Sequence, residues 1–134
     1  MSREPVLIVD DDEISCEALR MFLISEGFPA VSCNNGLAAL ERTRIDHFGV
    51  FLINYRMPIL RGDDVTRLLR ISHPNALIVG FSIASKLDAF RNAGADIFIN
   101  KEDLVPAIAT LLRNKQYVRS QLNPAGPNKD KTTE

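Results

Sequence analysis

The chain has 134 residues, 46% of them apolar and 25% charged, with a formal net charge of −1. That length suits one domain around one core, and a charge so near zero gives no electrostatic case for direct nucleic-acid binding or for a membrane surface. No apolar run is long enough to span a bilayer and residues 1–4 show no signal-peptide pattern, so the expectation is a soluble, cytoplasmic protein. Its two cysteines, Cys16 and Cys33, do not make a disulfide framework, and Cys16, at helical spacing with Leu19 and Leu23, reads as a small buried hydrophobe.

The continuous apolar run 6–9 ends in Asp10-Asp11-Asp12 and reads as a central strand buried on both faces. Asp12 is a suitable N-cap, Cys16, Leu19, Phe22 and Leu23 then recur at helical spacing, and Gly27 suits the helix end. A short second strand over 29–33 leads to the turn and cap Asn34-Asn35-Gly36 and a helix carrying Leu37, Leu40 and Ile45. Residues 51–54, apolar and partly β-branched, form the third strand and end in Asn54. Pro58 cannot continue a central strand, so the chain leaves the sheet before it. Asp63 or Asp64 starts a helix with Val65, Leu68 and Leu69 on one face, closed by His73-Pro74-Asn75. The fourth strand, 76–81, ends at Ser82; residues 85–93 allow only a short helix, with Leu87 and Phe90 inward, broken by Gly94. A fifth strand over 97–99 precedes Lys101, and Glu102 or Asp103 opens a last helix carrying Leu104, Ile108, Leu111 and Leu112. The pattern fades after residue 117. Residues 1–117 therefore read as one domain, and 118–134, with Pro, Gly and charge but nothing to bury, as a disordered tail or linker.

Strands and helices that alternate at short spacing demand a parallel sheet covered by helices on both faces. A doubly wound five-stranded sheet in the order 2-1-3-4-5 has its switch point between strands 1 and 3. Asp10, Asp11 and Asn54 meet there, and Ser82 and Lys101 follow strands 4 and 5 on the same edge. Adjacent carboxylates at a strand end suit a hard cation such as Mg²⁺, or equally a solvated helix start favoured by the helix dipole; the residues alone leave both open. His47 and His73 have no ligand partner at useful spacing and fall at helix ends, as dipole partners or solvated residues do.

The ordered set Leu7-Ile8-Val9-Asp10-Asp11, Leu19 with Leu23 and Gly27, Asn54 with Met57-Pro58 and Gly62, Ser82, Ala93-Gly94-Ala95-Asp96, Phe98 and Lys101 resembles the receiver domains of two-component response regulators. These share the flavodoxin-like fold of the chemotaxis receiver, and the resemblance runs over about 6–112. It implies that Asp10 and Asp11 hold Mg²⁺ with the main-chain carbonyl of Arg56, that Ser82 and Lys101 meet a phosphoryl group, and that Phe98 is the aromatic that moves inward on activation. It implies a signalling module and not an enzyme, whose partners are a sensor histidine kinase, a downstream output protein, or a second copy of the chain.

One position departs from that pattern. The resemblance implies an aspartate, phosphorylated from a kinase phosphohistidine, where this chain has Asn54. A neutral amide is not the nucleophile that a carboxylate is. The metal site also loses a charge: about 4 Å from an ion, one unit of charge is worth roughly 4 kcal/mol at an effective dielectric of 20, twice that for a divalent ion, before desolvation. Mg²⁺ binding is therefore expected to be weak, although Asn can still donate and accept. Glu102 stands where proline is usual, and the stretch 82–101 is short, which clips the fourth helix of the usual output face.

The sequence thus points to a phosphorylation-independent receiver acting through protein–protein contact. The alternatives are a conventional phosphorelay receiver whose acceptor has been replaced by asparagine, and a haloacid-dehalogenase-like phosphatase using Asp10 and Asp12. The phosphatase reading lacks a late acidic pair and leaves Met57-Pro58 and Gly62 unexplained. Phe98, with no hydroxyl to satisfy, is expected inward against the fourth helix and Ser82.

Overall fold

The computed structural model describes residues 3–114. Its strands are β1 (Val6–Val9), β2 (Ala30–Cys33), β3 (Val50–Asn54), β4 (Leu77–Ser82) and β5 (Ile97–Asn100). Its helices are α1 (Glu13–Ser25), α2 (Gly36–Arg42), α3 (Gly62–Ser72), α4 (Leu87–Ala93) and α5 (Lys101–Arg113). All strand pairs are parallel, in the order β2-β1-β3-β4-β5, which is the doubly wound α/β sheet that the alternation demands.

Side chains alternate across a strand, so each strand feeds two cores. On one face Val6, Ile8, Leu52 and Val79 pack with Leu19 and Leu23 of α1 and Ile108 and Leu112 of α5. On the other, Leu7, Val9, Phe51, Ile53 and Ile78 meet Ala39 of α2, Val65 and Leu69 of α3, and Phe90 of α4. Every residue of β1 and β3 is buried, as expected of central strands covered on both sides. Cys16 belongs to the first core and Cys33 packs against the second, and both are free thiols. Burial pushes the Cys16 thiol up to about 11, so it stays protonated and acts as a hydrophobe.

The caps follow the sequence. The Asp12 carboxylate accepts from Ser15 N at 3.3 Å and the Asn35 side chain from Ala38 N at 2.8 Å. Gly27 and Gly94 close α1 and α4 with φ of 91° and 105°, a region that glycine enters without penalty.

Several boundaries differ. Helix α2 stops at Arg42, where the Thr43 hydroxyl donates back to Leu40 O at 2.7 Å, so Ile45 lies outside it at 75% exposure. Leu37 is also exposed, and the small Ala39 makes the buried contact instead, because α2 lies so close to α3 that a side chain at Gly36 would overlap Val65. Helix α3 starts at Gly62, with Arg61 N donating to Asp64 Oδ2 at 3.0 Å, and Leu68 faces solvent. Strands β4 and β5 run on to Ser82 and Asn100, and α5 begins at Lys101 with no intervening loop. The expected tail, 118–134, lies outside the described residues. Among those described, no helix is long and apolar enough to cross a membrane.

Candidate functional site

At the carboxyl edge of the sheet a cleft of about 320 Å³ opens, lined by Asp11, Asp12, Asn54, Tyr55, Arg56, Ser82, Lys86 and Lys101 among others. Asp10, at 2% exposure, is joined to the cleft residues Asp12 and Lys101, with both oxygens engaged: Oδ1 accepts from Asp12 N at 3.1 Å and Oδ2 from Lys101 Nζ at 3.1 Å. Lys101 can make this contact because α5 starts on the residue after β5, which brings its first side chain back over the edge. Burial raises the Asp10 carboxyl above its ordinary range, and the Asp12 N–H and Lys101 only partly offset it. Asp11 is exposed. Asp12 is consumed as the N-cap of α1, accepting from Ser15 N and Ser15 Oγ, and these bonds hold its carboxyl below its ordinary range. Asp10 and Asp12 therefore do not present a pair of free carboxylates.

Asn54 closes β3 at 7% exposure, and its Nδ2 donates to the main-chain carbonyl of Arg56 at 2.9 Å. The loop beyond it folds tightly back: Gly62 N donates to Tyr55 O at 2.7 Å, and any side chain at Gly62 would overlap the Asn54 carbonyl. Within that loop Ile59 has φ 71°, the one non-glycine residue in the left-handed region among those described. For a β-branched side chain this is strained backbone. Ser82, at 6% exposure, ends β4 one residue beyond Phe81, the residue paired with Asn54.

Residues 6–113 match the response regulator receiver domain. The chain belongs to that family. It is 27% identical over 123 residues to the cell cycle transcriptional regulator CtrA of Caulobacter vibrioides, covering 86% of this chain and 53% of that protein, so it spans about half of that relative's length. It is 25% identical over 114 residues to the polar-differentiation response regulator DivK of Brucella ovis, covering 81% of this chain and 93% of DivK. The CheY-like receiver domain protein of Methanospirillum hungatei superposes with a TM-score of 0.75 at 23% identity, over 87% of this chain and 98% of that one.

The receiver resemblance assigns Mg²⁺ to Asp10, Asp11 and the Arg56 carbonyl, and the donor set here does not fit a divalent ion. Asp10 is paired with Lys101, and the Arg56 carbonyl already accepts from Asn54.

Phe98 sits on β5, half-buried, its ring 5.9 Å from that of Phe90 on α4. It reaches the fourth helix as expected but stays partly open. Helix α4 has only seven residues, and a groove of about 280 Å³ bounded by Leu87, Phe90, Arg91, Ile97 and Phe98 remains beside it. Two features went unread in the sequence. Phe90 is inward as expected, while Leu87 is 41% exposed, but the sequence did not show that Phe90 wedges where a side chain at Gly80 would stand, its ring 6.0 Å from Tyr55, next in chain to Asn54. The signal was a glycine inside a strand, which marks a close approach. At the far end of the sheet Arg70 donates to Gly94 O at 2.9 Å, to Ala76 O at 2.7 Å and to Asp96 at 2.8 Å, tying α3 to the turns around β4 and β5. No local pattern announces a pair of residues so far apart in sequence.

Proposed function

We propose that this receiver works without aspartyl phosphorylation and carries its signal through protein–protein contact. The observation that supports this best is the side chain of Asn54: a carboxamide at the end of β3, in the phosphoacceptor position, with its NH₂ committed to the Arg56 carbonyl. An amide offers no anionic oxygen to attack phosphorus, and its nitrogen is a donor, not a nucleophile. Asp10 is no substitute, since Oδ1 accepts from the Asp12 N–H and Oδ2 from the Lys101 ammonium. In this reading the module is cytoplasmic and not an enzyme, it binds Mg²⁺ weakly at best, and its partner is a sensor histidine kinase or an output protein.

A second reading, a conventional phosphorelay receiver whose acceptor has been replaced, draws support from Asp10, Ser82 and Lys101, all present at the same edge. Incubation with acetyl phosphate and Mg²⁺, followed by intact-mass measurement, tests the main reading. The chain is expected to gain no phosphoryl group, whereas Asn54→Asp is expected to gain one. A stable addition to the chain itself, mapped to Asp10, Asp11 or Asp63, would overturn phosphorylation independence.

A further inference from the structure

We infer that the Asn54 carboxamide takes the place of a divalent cation in this crevice, so that the receiver's polar floor is complete without metal. The inference rests on the phosphorylation-independent reading and deepens it. Two of the three groups that the resemblance turns toward an ion, Asp10 and the Arg56 carbonyl, have alternative partners here. Asp10 Oδ2 faces the Lys101 ammonium at 3.1 Å, Asp10 Oδ1 faces the Asp12 N–H at 3.1 Å, and the Arg56 carbonyl faces the Asn54 NH₂ at 2.9 Å. Asp11, the third of these groups, is exposed.

The charges agree with this. The buried Asp10 is paired with the partly exposed Lys101, and Asn54 adds no charge. A carboxylate at position 54 would stand beside Asp10 and point an acceptor at the Arg56 carbonyl, an arrangement of like charges and lone pairs that needs a cation between them. The amide reverses that polarity. Its hydrogens carry the partial positive charge toward the carbonyl, and a bound cation would first have to break this bond in a site at 7% exposure. Loss of the phosphoacceptor and loss of the metal requirement are then one substitution seen twice.

The test is Mg²⁺ titration calorimetry with thermal unfolding, on the full chain, Asn54→Asp and Asn54→Ala. The parent is expected to give no binding heat at millimolar Mg²⁺ and an unchanged Tm. Asn54→Asp is expected to unfold at a lower temperature without Mg²⁺, to recover on adding it, and to bind it about tenfold or more tighter than the parent. Asn54→Ala frees the Arg56 carbonyl without adding charge, and is expected to bind Mg²⁺ more tightly than the parent and less tightly than Asn54→Asp; Asn54→Ser serves the same purpose if the alanine variant does not fold. Parent binding as tight as that of Asn54→Asp would overturn the inference. So would equal binding by Asn54→Ala and the parent, because the amide would then not be what keeps the ion out. Phosphoryl labelling of the same samples separates the two proposals: a parent that binds Mg²⁺ yet takes no phosphoryl group sinks this inference alone, whereas a labelled parent sinks the reading beneath it.

Discussion

The two sides of the crevice are built differently. On the β1–β3 side every strand residue is buried and the polar groups arrive already paired, Asp10 with Lys101 and Asn54 with Arg56. On the β4–β5 side the edge strand is only half-buried, α4 is under two turns long, and one aromatic ring, Phe90, fastens it to the sheet between Gly80, Tyr55 and Phe98. Cores that pack densely resist small displacements, whereas short, half-covered elements open at low cost. The floor at the ends of β1 and β3 is thus the densely packed part of the crevice, and the α4–β5 edge the lightly packed one. In the proposed reading, a partner that binds the α4–β5 edge shifts its population by differential affinity, with no covalent event at Asn54.

The largest expected break in this contrast is Phe90→Ala. Phe90 is fully buried and holds α4 down, so the variant is expected to lose roughly 3–5 kcal/mol of stability in chemical denaturation. A loss under about 1 kcal/mol would mean that α4 is held by something else. Gly80→Ala attacks the same contact from the strand side. The new methyl group would overlap the Phe90 ring, at an expected cost of about 1–3 kcal/mol. The two changes should be strongly non-additive, because both act on one contact.

The sequence showed much of this arrangement. The strand and helix alternation, the caps at Asp12 and Asn35, and the stops at Gly27 and Gly94 are all local signals, and each is realised. So is the gathering of Asp10, Asn54, Ser82 and Lys101 at one edge, since strand ends in a parallel sheet must converge there. What was not legible depended on distance. The contact of Phe90 with Gly80, the reach of Arg70 to Asp96, and the choice of Ala39 over Leu37 as the buried residue of α2 are set by how closely two elements approach. Side-chain identity alone does not give that spacing. Residues 54 and 56 are near enough for a local bond, in which the Asn54 NH₂ must donate and the Arg56 carbonyl accept, but nothing local shows that the loop turns that carbonyl toward Asn54.

A smaller expected effect sharpens the contrast at the loop between the two sides. Ile59 is 82% exposed and strained at φ 71°, so Ile59→Asn, a residue at home in that region, is expected to gain about 1 kcal/mol with little packing lost. An unchanged or lower Tm would show that the isoleucine conformation costs nothing here. The smallest effect is electrostatic. Folding raises the Asp10 carboxyl above its ordinary 3.8, so the folded state holds that proton more tightly than the unfolded chain does. Its contribution to stability is fully present below that value and is lost as pH rises through the folded pKa. Asp12 runs the other way: its carboxyl is lowered, so its contribution is present above 3.8 and lost as pH falls through its folded pKa. Carbon-13 titration of the two carboxyls checks both signs, and Asp10 titrating below Asp12 would reverse the assignment.

The claim that the floor is closed by an amide has a direct reporter in the side-chain NH₂ of Asn54. Its nitrogen-15 spectrum, followed while Mg²⁺ and then acetyl phosphate are added to the full chain, is predicted to show a slowly exchanging pair of resonances that does not shift. A through-bond coupling to the Arg56 carbonyl carbon should persist throughout. Loss of that coupling, or resonances that move as Mg²⁺ enters, would contradict the account.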